Sequence, residues 1–295
     1  MDMAYFLELL VNGALTGLMY SLVALGIVLI YKSAGVPNLA QGAMVMLSAY
    51  FIWMFTAMAG MPIFVSIGLA VVAMFAFGLL AERLLLRKMV GQPIIMIVML
   101  TLGLEIFLRG VGPGFLGAAP KSLDLGIPLT PIIVGDVFIN RDYLIGGIVA
   151  VVLIGLSLLF FRTRIGTKLR AVSDDHVSSW SVGISVERAI GISWGLAGIS
   201  AVAAGALWGS VQGVDWTLSA LLFPAIAVVI LGGLDSIIGV LVAGLIVGIL
   251  GSVIPGYVDP IVGGGTRNVV TSLIILFTIM LRPHGIFGRE DIERV

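Results

Sequence analysis

The sequence predicts an all-α, polytopic integral membrane protein with about eight transmembrane helices, and three observations predict it. Of its 295 residues, 60% are apolar and only 11% are charged, whereas soluble domains carry about 25% charge. No charged residue occurs between Lys32 and Glu82, a gap more than twice the roughly 20 residues that one span needs. Glycines recur at helical spacing inside apolar runs, as Gly13/Gly17, Gly191/Gly195, Gly205/Gly209 and Gly244/Gly248. Such pairs let helix backbones approach where no hydrophobic force drives them together. They serve either packing within the chain or a seam with a second membrane subunit.

The spans follow in order. Met1-Asp2-Met3-Ala4 lacks the basic n-region of a signal peptide, so the first apolar run, about Leu9 to Tyr31, reads as a retained span. A second begins after Pro37-Asn38 and runs to about Met58; a third covers Met61 to Ala81. The fourth starts near Pro93, a residue tolerated in a first turn, and ends near Arg109. Residues 110–142 form the longest non-helical region, rich in Gly and Pro. Tyr143 to Phe161 is a fifth span and Ala189 to about Ser210 a sixth, separated by a polar segment, 162–188. Ser219 to Leu231 is only about 20 Å long as a helix, too short for a core of roughly 30 Å. It is either a half-helix that enters and turns or a short tilted partner of the next helix, so 219–254 holds a ninth span or a re-entrant hairpin. Asn268 to Leu281 closes the series. The whole chain, 1–295, reads as a single transmembrane domain.

Lysine and arginine set orientation, because cytoplasmic loops carry their excess. Lys32, Arg83, Arg87, Lys88, Arg162, Arg164, Lys168, Arg170, Arg188, Arg282, Arg289 and Arg294 fall on one side. Arg109, Lys121, Arg141 and Arg267 fall on the other. Twelve against four places the N-terminus outside, the C-terminus in the cytoplasm, 110–142 outside and 162–188 inside.

Composition excludes several classes of function. Sixteen Lys+Arg balance sixteen Asp+Glu, there is no cysteine, and only His176 and His284 are present. A nucleic-acid surface, a thiolate site and a histidine-rich metal centre are therefore not expected. No Gly-x-Ser-x-Gly elbow, His-Glu-x-x-His or nucleotide-binding loop occurs. The chain is not read as an enzyme; if it pumps, the energy comes from another protein or from an ion gradient.

Three places carry polar chemistry. Glu105 is the carboxylate inside a clear span, with Arg109 one turn on; it is either a self-paired charge near the external end or a pathway contact. Between Ala34 and Met46, Pro37 disfavours helix at Val36 and Asn38 is a strong N-cap. A helix therefore restarts near Leu39, carrying Gln41, Gly42 and Met44. Broken helices of this kind line transport pathways, although an ordinary capped start gives the same pattern. In 162–188, Leu169, Val172, Val177 and Trp180 form an apolar strip on a short amphipathic helix, which lies on the membrane or docks on a partner. Asp235, in Gly-Gly-Leu-Asp-Ser, reads as the cap of the next helix.

At these segments the sequence resembles the permease subunits of branched-chain amino-acid ABC importers of the high-affinity leucine/isoleucine/valine type. Asn12-Gly13-Ala-Leu-Thr-Gly17-Leu-Met-Tyr20-Ser-Leu-Val-Ala24-Leu-Gly26 looks like that family's first span. Pro37-Asn38-Leu-Ala-Gln-Gly42 matches its Asn-Phe-Ala-His-Gly-Glu-like segment, with Gln41 and Ala43 where His and Glu are usual. Arg170-Ala-Val-Ser-Asp174-Asp, followed by Gly183 and Arg188, is similar to its coupling region. Gly232-Gly233 and Arg282-Pro-His-Gly-Ile-Phe-Gly288 resemble its C-terminal signature. The resemblance implies a second homologous permease forming a heterodimer, two cytoplasmic ATPase subunits that bind ATP and Mg, and a periplasmic solute-binding protein. The permease itself would hold no cofactor. It implies a bacterial inner-membrane, multi-pass location, with Arg170, Ala171, Asp174, Asp175 and Gly183 in contact with an ATPase. Asn38, Gln41, Gly42, Met44 and Glu105 would lie along the substrate pathway. Related permeases handle urea, short amides and aromatic acids, which stand as alternative cargoes. An ion-coupled carrier using Glu105 and a non-transporting assembly subunit are the alternatives of a different class.

Overall fold

The structure, a computed structural model, describes residues 3–89, 91–128 and 130–288, with side chains throughout except those of Leu116, His176 and Val177. Arg289 and Arg294 of the charge asymmetry, and the side chain of Val177 in the apolar strip, lie outside the described residues.

Seven helices are long and apolar enough to cross a membrane. They are α1 (Met3–Ala34), α2 (Gln41–Trp53, prolonged by a π turn Met54–Met58), α3 (Ile63–Leu84), α4 (Ile94–Leu116), α5 (Arg141–Phe161), α8 (Val186–Gln212) and α10 (Ile237–Val262). Two short helices, the amphipathic α6 (Arg164–Asp174) and α7 (His176–Ser181), sit between α5 and α8. A 3-10 turn (Trp216–Leu221) leads into the short α9 (Leu222–Gly232), and α11 (Thr266–Leu281) ends the bundle. A two-stranded hairpin, β1 (Ile132–Val134) and β2 (Val137–Ile139), pairs antiparallel. Its β2 is pinned to α1, where Asn12 Nδ2 donates to the Phe138 carbonyl at 2.8 Å and Asn12 Oδ1 accepts from the Asn140 N–H.

Helix α1 is the hub, packed against α10, α8, α5 and α9. Its residues from Met19 to Ile30 are almost wholly enclosed, which explains an apolar run with no amphipathic face. Against α10 the contact is backbone on backbone: a Cβ at Gly17 would overlap the Gly244 carbonyl, and one at Gly248 the Gly13 carbonyl. Gly195 similarly meets the Phe75 ring, and Gly205 meets Ser48. The glycine pairs thus serve packing within the chain. By contrast α3, α4 and α5 turn much of their surface outward, as Phe64, Val72, Ile95, Phe107 and Leu159 illustrate.

Several boundaries differ from the sequence expectation. The fourth helix runs through Gly110 and Pro113 to Leu116 instead of stopping near Arg109, so the irregular region is 117–140 and not 110–142. Pro and Gly break helices in water but are tolerated where apolar surroundings leave the backbone no other partner. The expected single strip in 162–188 is two helices broken at Asp175, whose backbone is extended. Leu169 and Val172 are buried while Trp180 faces outward. Asp235 does not cap α10; Ser236 does, its Oγ accepting from the Gly239 N–H at 2.9 Å. The 219–231 stretch is the half-length element expected, a 3-10 turn followed by about 16 Å of helix.

Candidate functional site

Helix α1 ends with Gly35 in the left-handed region at φ 67, its N–H donating to the Tyr31 carbonyl at 2.9 Å. Left-handed backbone favours glycine, and the turn sends the chain back along α1. Pro37 holds it extended and Asn38 then folds it: Asn38 Oδ1 accepts from the Ala40 N–H at 2.9 Å. The N-cap of α2 is Ala40, with no side-chain cap, and the helix starts at Gln41. Asn38 was expected to cap a helix restarting at Leu39. It instead makes an Asx turn just ahead of the helix, and the Leu39 N–H is taken by Thr101 Oγ1 of α4 at 3.2 Å.

This start lies deep in the bundle. Gln41 Nε2 donates to the Ala197 carbonyl at 3.2 Å and to Ser200 Oγ at 3.5 Å, both at the middle of α8. Asn38 Nδ2 approaches Gln41 Oε1 and Met44 Sδ, each at 3.4 Å. Gly42 abuts the Ser219 carbonyl and Leu222, where the 3-10 turn passes into α9. Gly26 of α1 lies directly against the Gln41 amide. Asn38, Gln41 and Met44 are fully enclosed. Two interrupted elements, α2 and the turn into α9, therefore meet at mid-depth, the geometry in which free N–H groups and the positive helix end face the interior.

Glu105 sits at the middle of α4, not near its end, on the face that also carries Thr101, Leu108 and Gly112. That face is turned toward α2, since Gly112 abuts Met46 and Tyr50. Glu105 Oε1 lies 3.6 Å from Arg109 Nε, with the carboxylate buried and the guanidinium 42% exposed. Asn38, Gln41, Gly42 and Met44 are thus brought together, with Glu105 one turn beyond Thr101 on a neighbouring helix. Sequence reasoning noted Gly26 only within the first-span motif and missed Thr101, Ser200 and Ser219. Serine and threonine within spans were the available signal.

The other candidates gather at one pole. Helix α6 is capped by Thr163, whose Oγ1 accepts from the Gly166 N–H. It buries Leu169 and Val172, and Ser173 Oγ donates to the Tyr31 carbonyl of α1 at 3.3 Å. Its other face carries Arg170 and Asp174. Asp175 caps the start of α7, accepting from the Ser178 N–H at 3.0 Å and its hydroxyl at 2.7 Å. Gly183, at φ 81, ends that short helix. A cavity of about 930 Å³ opens beside α6, lined by Tyr31, Lys32, Arg170, Asp174, Asp235 and His284 among others. A second, of about 420 Å³, reaches Val36, Ile94 and Ile97, directly below the turn that carries Asn38. Among the described residues no group of three or more His, Cys, Asp or Glu is arranged to hold a metal ion.

Comparison with known proteins agrees with this architecture. Residues 9–281 match the family model for the branched-chain amino acid transport system permease component. The chain is 26% identical to the high-affinity branched-chain amino acid transport system permease protein BraD of Pseudomonas aeruginosa, over 100% of this chain and 99% of that one. It is 31% identical to the probable branched-chain amino acid transport permease protein LivH of Methanocaldococcus jannaschii, over 90% and 88%. Against LivH of Escherichia coli K12 the identity is 26%, over 99% and 98%. Among solved structures, PsaBC from Streptococcus pneumoniae in complex with Fab superposes with a TM-score of 0.51 at 18% identity, covering 96% of this chain and 94% of that one, a likeness of fold. Matched over residues 9–281, the chain belongs to the branched-chain amino acid transport system permease family.

Proposed function

We propose that this chain forms one half of the translocation pathway for branched-chain amino acids in an ABC importer, and that Asn38, Gln41, Gly42, Met44 and Glu105 line the step the cargo must pass. The observation that carries the reading is the buried start of α2: uncapped N–H groups and two side-chain amides at the middle of the bundle, above cavities that open beside α6. Enclosed polar groups between two interrupted helices are costly to keep in a bundle that only needs to pack. As a permease component the chain performs no catalytic step of its own. On this reading the pole with α6 faces the cytoplasm, the N-terminus and the 117–140 region face outward, and the membrane is the bacterial inner membrane.

The partners in this proposal are a second, homologous permease, two ATPase subunits that hold ATP and Mg, and a periplasmic solute-binding protein. Arg170, Ala171, Asp174, Asp175 and Gly183 form the ATPase contact. The half-exposed Arg109, several residues into a span and paired with Glu105, supports a partner or water-filled seam along α4, because charged groups inside a span rarely face lipid. The test is uptake of radiolabelled L-leucine by proteoliposomes holding the assembled system, with binding protein outside and ATP inside. Arg170→Ala with Asp174→Ala should abolish uptake and the stimulation of ATP hydrolysis by loaded binding protein. Unchanged uptake and stimulation in that double variant reject the contact. Uptake by this chain alone, abolished by an uncoupler and by Glu105→Gln, would reject the importer reading in favour of an ion-coupled carrier.

A further inference from the structure

Helix α10 contains Pro255 and Pro260. Neither has an N–H, so the carbonyls of Gly251 and Gly256, four residues earlier, lose their helical donors. Both are satisfied from outside the helix: Arg267 Nε donates to the Gly251 carbonyl at 3.0 Å, and the Tyr5 hydroxyl to the Gly256 carbonyl at 3.2 Å. The prolines thereby fix the placement of a guanidinium and a phenol on the two neighbouring helices. Between them, at the pole opposite α6, lies a cavity of about 480 Å³ whose polar wall includes Glu8, Asn12, Tyr143, Asp259 and these two residues. It is separate from the polar centre: Asn12 and Gly26 are about 21 Å apart along α1.

Opposite charges line this cleft without closing on one another. Among the described residues no ion pair within 4 Å joins Arg267 to Glu8 or Asp259, as Glu82 is joined to Arg87 and Glu105 to Arg109. One Asp259 oxygen accepts from the Thr266 N–H at 3.0 Å, which holds the carboxylate in place. Arg267 stands one residue into α11, a helix of 16 residues, about 24 Å long. It is shorter than the roughly 30 Å hydrocarbon core, so its first turn lies at or below the membrane interface. There the guanidinium is held by the Gly251 carbonyl through Nε at the edge of the cleft, and a concave site with a few convergent polar groups is the form that binding sites take.

We propose that this cleft binds a small zwitterion, a primary ammonium next to a carboxylate or phosphate. Arg267 takes the anionic group, Glu8 and Asp259 take the ammonium, and Tyr5 and Tyr143 wall the apolar part. The site goes beyond the transport reading and does not depend on it. Two sources share this chemistry, a free amino acid and a phosphatidylethanolamine headgroup.

The test uses the full chain in nanodiscs of phosphatidylcholine and phosphatidylglycerol. The probes are radiolabelled L-leucine and, in parallel discs, added phosphatidylethanolamine followed by native mass spectrometry. One equivalent of either probe should bind saturably. Glu8→Gln, at a half-buried position with no structural contact through its carboxylate, should weaken that binding at least tenfold, as should Arg267→Gln. N-acetyl-leucine and leucinamide, each lacking one charge, should compete poorly on the unaltered chain. Binding of leucine alone assigns the site to an amino acid, and retention of phosphatidylethanolamine alone assigns it to lipid. Saturable binding of neither probe, or binding unchanged by Glu8→Gln, overturns the proposal; the latter result places any bound leucine elsewhere in the molecule.

Discussion

The contact between Gly26 and Gln41 supports a compensation experiment. A Cβ at Gly26 would collide with the Gln41 amide and lie 2.7 Å from Ser200 Oγ. The colliding group is the end of a flexible side chain, so Gly26→Ala is accommodated by rotating the amide away and not by moving helices. That rotation breaks the bond from Gln41 Nε2 to the Ala197 carbonyl, worth about 1 kcal/mol net, and leaves an enclosed amide unpaired at about 1–3 kcal/mol. Gly26→Ala should therefore destabilise the chain by about 2–4 kcal/mol. Gln41→Ala alone removes the donor with its side chain and leaves a cavity, a loss of similar size. In the double variant the new methyl enters the vacated space and no amide is left unpaired. The two losses should fall short of additive by about 1–2 kcal/mol, where independent sites add to within about 0.5 kcal/mol. The assay is denaturant unfolding of the four proteins in one detergent, followed by tryptophan fluorescence. Additive losses, or a Gly26→Ala chain as stable as the parent, refute the placement of Gln41 against α1.

Other variants probe neighbouring features. Gly17→Val forces a side chain into the Gly244 carbonyl, backbone against backbone; overpacking typically costs about 1–3 kcal/mol, and this rigid seam should show a loss at or above the top of that range by the same unfolding assay. Ser236→Ala removes the cap of α10 and should cost about 1 kcal/mol, while Ser236→Asp, which keeps an acceptor, should recover most of it. Glu105→Gln breaks a pair whose other member is half exposed, so stability should drop by less than about 1 kcal/mol. Its effect on leucine uptake by the assembled system should be far larger, at least tenfold, and equal uptake would remove Glu105 from the pathway.

How much of this was legible in the sequence depended on what each residue had to do. Spans were readable because a charge-free apolar run has one stable form in lipid, and the short element before Asp235 was readable from its length. The end of α4 was not, because Gly110 and Pro113 carry strong breaker signals in water that an apolar helix overrides. The interruption at Pro37-Asn38 was legible, since proline restricts its neighbour wherever it stands. Its depth was not: only the tertiary bonds from Gln41 to α8 and from Leu39 to Thr101 place the start of α2 inside the bundle. The apolar strip of 162–188 failed for a related reason. Spacings of three, five and three were only roughly helical, and the five-residue step coincides with the break at Asp175.

The same bonds explain how a movement at the α6 pole can reach the polar centre. Helix α6 is anchored to α1 through Ser173 and Tyr31 and through the burial of Leu169 and Val172. Gly26 lies five residues, about 7.5 Å, along the same helix and touches Gln41. A displacement of α6 on the proposed coupling reading is therefore passed to Gln41 through one rigid element, with no chain of loops to absorb it. Closely packed interfaces respond to such a push by switching between arrangements and not by bending gradually. The Gly17–Gly244 seam, on the same helix, fixes the axis about which α1 can shift. Backbone contact at Gly17 and Gly248 thus holds α1 against α10, while at Gly26 the same helix meets the Gln41 amide at the start of α2.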